Sequence, residues 1–591
     1  MGRLGITHRL GGHELKAGAD LELNSKQMAR VYSGGAFLRN YVDSSIEVTR
    51  WVELAPPDGA DPRFDQTCLA EDPGAMPGLG GSRVFACDYL SGIPGAPGTL
   101  VNGETVNWSA YLRDSWRIRP NLTLNAGVRY EEQRLRYASN LRGTTDVLTG
   151  NRLGTNAVVL DGNVAPRVGV IWDPTERGAS KVYAAWGRFF EAIPMNINDR
   201  AFGSETSYTQ TYVLGVEQPC GPRDPRIGGP DARGCLDTAA RPTREQLFGS
   251  SGVLIAPDLR AQYLDEIVAG VEYQLARDTK LGLTYQHRRL GRVIEDLSTD
   301  GAQTYVISNP GEWSEDAERA LEAQIARTAD DATRARLERD LRLYRGIRRF
   351  DRPSRSYDAL ELSLTRRLAR GLFVQASYTY SRTHGNYPGL ISYDNGQIDP
   401  NISSQYDLIE LLANRAGRLP QDRPHSIKVD GHYTLRHRGH ELTLGGRFRA
   451  LSGIPRNALG SHATYGPDES FLLSRGSLGR TDAAHSVDLH IAYGRKLSPS
   501  VLAELYLDVF NVYDYQATAG VDDTYAPEFH TGGENHVNPI SGGTYEDLVF
   551  AKALDGRGEE TGRPSARNPN FGKPVSRYAP ASARIGFRLR F

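Results

Sequence analysis

The sequence predicts an all-β fold, an antiparallel transmembrane β-barrel with long loops, and three observations predict it. Short segments alternate apolar and polar residues with a period of two. They pair through turns of a few residues, and long polar stretches separate one pair from the next. The closing segment shows the alternation most plainly: Ala583, Ile585, Phe587, Leu589 and Phe591 are separated by Arg584, Gly586, Arg588 and Arg590. A strand with one apolar and one strongly polar face lies between two different solvents, and three arginines suit a water-filled lumen.

Taken from the N-terminus, the first hairpin covers residues 4–9 and 14–23. Pairs around 108–116 with 122–130, and 168–172 with 182–190, alternate less cleanly. The next has Ile267, Ala269, Val271 and Tyr273, then Leu281, Leu283 and Tyr285. Leu360, Leu362 and Leu364 follow, turning at 369–371 into Leu372, Val374, Ala376, Tyr378 and Tyr380. Ile427, Val429 and Tyr433 pair with Leu442, Leu444, Phe448 and Ala450. Val487, Leu489, Ile491 and Tyr493 pair with Val501, Ala503, Leu505, Leu507 and Val509. Seven hairpins and the closing strand make about fifteen strands, with short turns at one rim and long connections (24–105, 192–262, 291–355 and 513–578) at the other. Tyr130, Tyr273, Tyr285, Tyr378, Tyr380, Tyr433 and Tyr493 lie near the ends of apolar faces, where girdles at a lipid–water boundary belong. Residues 315–344 carry Leu321, Ile325, Leu337 and Leu341 at helical spacing, and read as a helix inside an extracellular loop. A propeller would repeat at a fixed period, whereas these pairs recur at irregular intervals.

Composition bounds the function. The 591 residues carry 70 basic and 71 acidic side chains, a net charge of −1, which gives no argument for nucleic acid as a partner. No stretch approaches the roughly 18–20 apolar residues of a transmembrane helix, which leaves a barrel open. Met1 to Leu10 has no apolar core of a signal peptide, so an exported form is expected to carry residues upstream. The four cysteines form two local pairs, Cys68 with Cys87 and Cys220 with Cys235, in Gly/Pro-rich stretches. They read as loop-stapling disulfides, each contributing about 3 kcal/mol, rather than as a zinc site, which would want C-x-x-C spacing.

Four runs resemble the Oar-like branch of the TonB-dependent receptor family: 163–174 (NVAPRVGVIWDP), 181–190 (KVYAAWGRFF), 419–428 (LPQDRPHSIK) and 571–574 (FGKP). The resemblance covers most of the chain but consists of structural motifs, not a chemical site. It implies a 22-stranded barrel plugged by an N-terminal domain and coupled to an inner-membrane TonB-type energy complex. The plug, the coupling motif and the early strands have no counterpart here. Residues 1–591 are therefore expected to be the C-terminal part of that barrel domain, unable to form a heat-modifiable folded band alone, since an open sheet edge in lipid leaves backbone groups unpaired.

No catalytic motif is present, and neither a metal nor a cofactor is expected. His432, His437 and His440 around one turn read as a polar turn before a metal set. Asp394, Asn395, Gly396 and Asp399 lack the full spacing of a calcium loop, and Asp522-Asp523 is weaker still. Inward-facing Arg447, Arg449, Arg584, Arg588 and Arg590 could bind an anionic ligand or contact a plug, though lumenal charge is ordinary in large barrels. Phe591 is the terminal aromatic that barrel-assembly machinery reads. The expected function is an outer-membrane receptor or transporter for energy-coupled uptake or export of an unidentified extracellular ligand. The alternatives are a non-transporting surface binding or adhesion protein, or a truncated gene remnant. Outer-membrane lipid is the expected surrounding.

Overall fold

The computed structural model describes residues 1–30, 37–40, 46–51, 69–71, 83–85, 99–139, 141–143, 152–202, 206–214, 244–249, 254–302, 304–396, 403–531 and 533–591. Fifteen antiparallel strands follow one another along a single sheet, each hydrogen-bonded to the next in chain order. They are β1 (Gly2–Leu10), β2 (His13–Arg30), β3 (Thr99–Arg119), β4 (Leu122–Arg136) and β5 (Asn156–Trp172). Next come β6 (Ser180–Phe190), β7 (Tyr263–Ala276), β8 (Thr279–Arg292), β9 (Arg355–Ala369) and β10 (Leu372–Gly385). The path ends with β11 (His425–His437), β12 (His440–Leu451), β13 (Ala484–Lys496), β14 (Leu502–Phe510) and β15 (Ser582–Arg590). Gly417–Arg418 adds a short strand beside β10. Among the described residues β1 pairs only with β2, and β15 only with β14.

The register puts the alternating residues where the period of two requires. Leu283, Leu362 and Tyr378 form one row across β8, β9 and β10, and Thr284, Glu361 and Thr379 form the next row on the opposite face. Odd and even strands meet at short turns. In two of them both central residues take positive φ: Arg370 (51°) with Gly371 (81°), and Arg438 (45°) with Gly439 (82°). That geometry matches the twist of a two-residue hairpin and favours glycine at its second position.

Two expected boundaries move. β2 and β3 keep pairing from Leu23↔Val106 as far as Arg30↔Thr99, well past the apolar stretch. At roughly 3.3 Å per residue, a strand of 21 residues far exceeds the 9–11 that cross a bilayer, so this hairpin projects beyond it. The helix expected over 315–344 is two helices. After α1 (Met195–Phe202), α2 is Glu315–Arg327, capped by Ser314, and α3 is Asp331–Gly346, capped by Asp330. The Asp330 carboxylate accepts from the Thr333 amide at 2.7 Å, and such a cap stops one helix and starts another.

Among the described residues most of the buried apolar core lies outside the wall, apart from a cluster in which Leu135, Val158 and Leu160, at the long-connection ends of β4 and β5, pack against Ile193, Ile197 and Phe202. A second cluster joins Leu297, Val306, Ile347, Phe350, Tyr387 and Tyr406; a third joins Ala458, Leu472, Leu473, Tyr525, Leu548 and Phe571. The residues of these last two all belong to the long connections that follow even-numbered strands. The large hydrophobics of the wall are exposed instead, among them Leu112, Val168, Val271, Leu362, Leu444, Ile491, Leu505 and Ile585, and all lie on one face of the sheet.

Candidate functional site: the polar wall and the loop cap

On the polar face, cross-strand register sets acidic against basic side chains. Asp430 on β11 takes Arg447 at 3.0 Å and Arg449 at 2.7 Å from β12. Asp508 on β14 takes Arg584 at 2.6 Å and His490 at 2.5 Å. Glu504 takes Arg588 at 3.3 Å and Arg590 at 2.5 Å from β15. All five arginines singled out in the sequence thus carry a carboxylate partner on the wall itself. What sequence reading missed is the partner: Asp430, Glu504 and Asp508 become legible only once strand register is known.

The three histidines near the β11–β12 turn do not converge. His432 lies on the polar face, stacked on Phe373, whereas His440 lies on the apolar face, hydrogen-bonded to Tyr493 Oη at 2.6 Å. Phe591 is 90% exposed beyond β15. Cys68, Cys87, Cys220, Cys235 and Asp399 lie outside the described residues.

Beyond the long-connection rim, three or more connections lock together. Glu295, after β8, is fully buried and accepts from Tyr387 Oη at 2.8 Å and from the Ser403 amide at 3.1 Å, both after β10. Burial and the neighbouring Asp296 push its carboxyl well above the usual range. Burial likewise pushes Asp407 up to about 7, against the Tyr465 hydroxyl that favours its charged form. Arg415 and Arg475 both lie against the Phe471 ring, at 4.8 and 4.6 Å, and Arg475 reaches Asp394 at 3.3 Å. Asn457 then ties Asp394 (3.1 Å) to Asp523 (3.0 Å). Burial pushes Asp523 up to about 7 as well. Asp394, Asn395 and Asp523, weighed in the sequence as metal ligands, thus cross-link loops; Asn395 donates to Glu469 at 2.9 Å.

An apolar face exposed on every strand and a charged opposite face define a sheet that separates lipid from water. The family comparison agrees: residues 5–460 match the family described as "Outer membrane beta barrel domain". The chain belongs to that family. As a bacterial outer-membrane barrel, its apolar face meets lipid and its polar face lines the lumen. The resemblance to the Oar-like branch also holds. The chain is 32% identical over 620 residues to the TonB-dependent transporter Oar of Myxococcus xanthus, covering 99% of this chain and 50% of that one. It therefore spans about half the length of the curated relative it matches. Among solved structures, the outer membrane transporter YddB of Escherichia coli is 14% identical, with a TM-score of 0.43, covering 88% of this chain and 50% of that one. The ferripyoverdine receptor of the outer membrane of Pseudomonas aeruginosa is 12% identical, with a TM-score of 0.40, covering 88% and 44%.

Proposed function

We propose that the chain forms the wall and loop cap of a TonB-dependent outer-membrane transporter, a receptor rather than an enzyme, for an extracellular ligand. The observation that carries this reading is a two-faced wall aligned along nearly its whole length with a TonB-dependent transporter. Among the described residues the outer edges of β1 and β15 have no strand partner, and because lipid does not tolerate unpaired backbone, a ring of about 22 strands would close the wall. In this reading the cap, with α2 and α3, faces the outside, and a lumenal plug couples to the energy complex. The wall arginines hold the barrel's inner lattice, and capture of ligand falls to the cap.

The test is retention. Outer membranes of the producing bacterium, solubilised gently, are passed over immobilised periplasmic domain of TonB. The protein is retained if energy coupling is correct. Its passage in the flow-through, with a control transporter retained, contradicts the coupling and leaves a non-transporting surface protein.

A further inference from the structure

The paired arginines of β11–β15 have a counterexample on β3–β6. Register aligns Arg113 with Gly127, Gly127 with Arg167, and Arg167 with Gly187, so one lumenal row reads Arg, Gly, Arg, Gly across four strands. The next row runs Asn125, Gly169, Ala185. These small residues floor an open groove of about 690 Å³. Strands lie about 4.8 Å apart, so the two arginine backbones stand roughly 10 Å from each other with only a glycine between them.

Arg113 and Arg167 are both exposed, and neither has a carboxylate partner among the described residues. Arg167 instead lies over the Phe189 ring at 4.4 Å. The row's next carboxylate, Glu266, lies beyond Gly187 and is taken by Arg288, and the middle of the row cannot supply one. A Cβ at Gly127 would stand 2.8 Å from Arg113 Cβ and 3.0 Å from the Leu112 carbonyl. Two arginines on the strands either side of Gly127, with no side chain between them, match an oxyanion that brings several acceptor atoms.

We propose that Arg113 and Arg167 jointly bind a carboxylate or phosphate group seated over Gly127, carried by what crosses or fills the lumen. The group has two possible sources, a solute in transit or an acidic side chain of a polypeptide packed inside the barrel. The inference needs the barrel wall but not energy coupling, and transport is not its readout.

Phenylglyoxal footprinting of arginines in native outer membranes, read by mass spectrometry, tests it. Phosphate or citrate is expected to slow modification of Arg113 and Arg167 by about fivefold or more, and of Arg447 by less than about twofold. Protection already present and removed by dialysis assigns the anion to a solute. Protection that survives dialysis and is lost on urea extraction of lumenal polypeptide assigns it to an acidic side chain. In the variant R113Q, Arg167 loses its protection while the heat-modifiable band persists. Free reaction of both arginines with no response to either anion overturns the site. So does equal protection of Arg447, or full protection of Arg167 in R113Q.

Discussion

Leu362 and Leu472 are the same residue in two kinds of environment. Leu362, in the middle of β9, is 45% exposed on the lipid face, whereas Leu472, in the cap, is fully buried. The wall leaves its large side chains outward for lipid and keeps ion pairs inward. The cap turns its apolar groups inward over water and ties connections from distant parts of the chain around them. Wall stability therefore comes from neighbour-to-neighbour hydrogen bonding and from the bilayer. Cap stability comes from close packing and from buried polar groups that must be satisfied.

The sharpest way to break this division is in the cap. Phe471→Ala removes a fully buried ring and the surface on which Arg415 and Arg475 stack. It is expected to cost about 3–5 kcal/mol of cap stability. Limited proteolysis should then cut the long connections while the heat-modifiable wall survives; loss of the wall as well would show that the two regions fold as one. A charge in lipid comes next. Leu362→Arg should cost about 2–4 kcal/mol in denaturant titrations of protein folded into vesicles, while Ser363→Arg, one residue on and lumenal, should cost far less. Equal effects would abolish the assignment of faces.

Acidity should act on the cap alone. Asp407 and Asp523 are held at about 7 by burial, above the ~3.9 of an unfolded aspartate. A carboxyl raised in this way contributes stability that is fully present below the unfolded value and is lost as pH rises through about 7. Raising pH from about 5 to about 8 should accelerate cap proteolysis, and D407N with D523N should make the profile shallower, Glu295 retaining part of the slope. An opposite slope would contradict the buried, neutral state of these groups. The smallest effect belongs to the wall's ion pairs. A double-mutant cycle on Arg449 and Asp430, both about one-third exposed, should give a coupling of at most about 1 kcal/mol, reduced by salt.

Sequence and structure part company along the same line. The strands were legible because a period of two is a local signal, and each of the seven short turns falls between segments of matching pattern. Strand ends were less so: β2 and β3 extend through a mixed stretch, including Met28↔Val101 and Ala29↔Leu100, whose pairing is a cross-strand property. The cap was almost illegible. Glu295 meets Tyr387 across 92 residues of sequence and Ser403 across 108, and no local pattern announces either contact. The five arginines were read as lumen-facing, while their pairing with Asp430, Glu504 and Asp508 required register. The same register exposes Arg113 and Arg167, whose alternation with Leu112 and Val168 was the available signal.

The division rests on which face of the wall meets lipid, and site-directed spin labelling along β9 tests that directly. Labels at 360, 362 and 364 should be accessible to oxygen and shielded from a water-soluble nickel reagent, and labels at 361, 363 and 365 should show the reverse. An accessibility profile without that period of two, or with its phase inverted, would contradict the account.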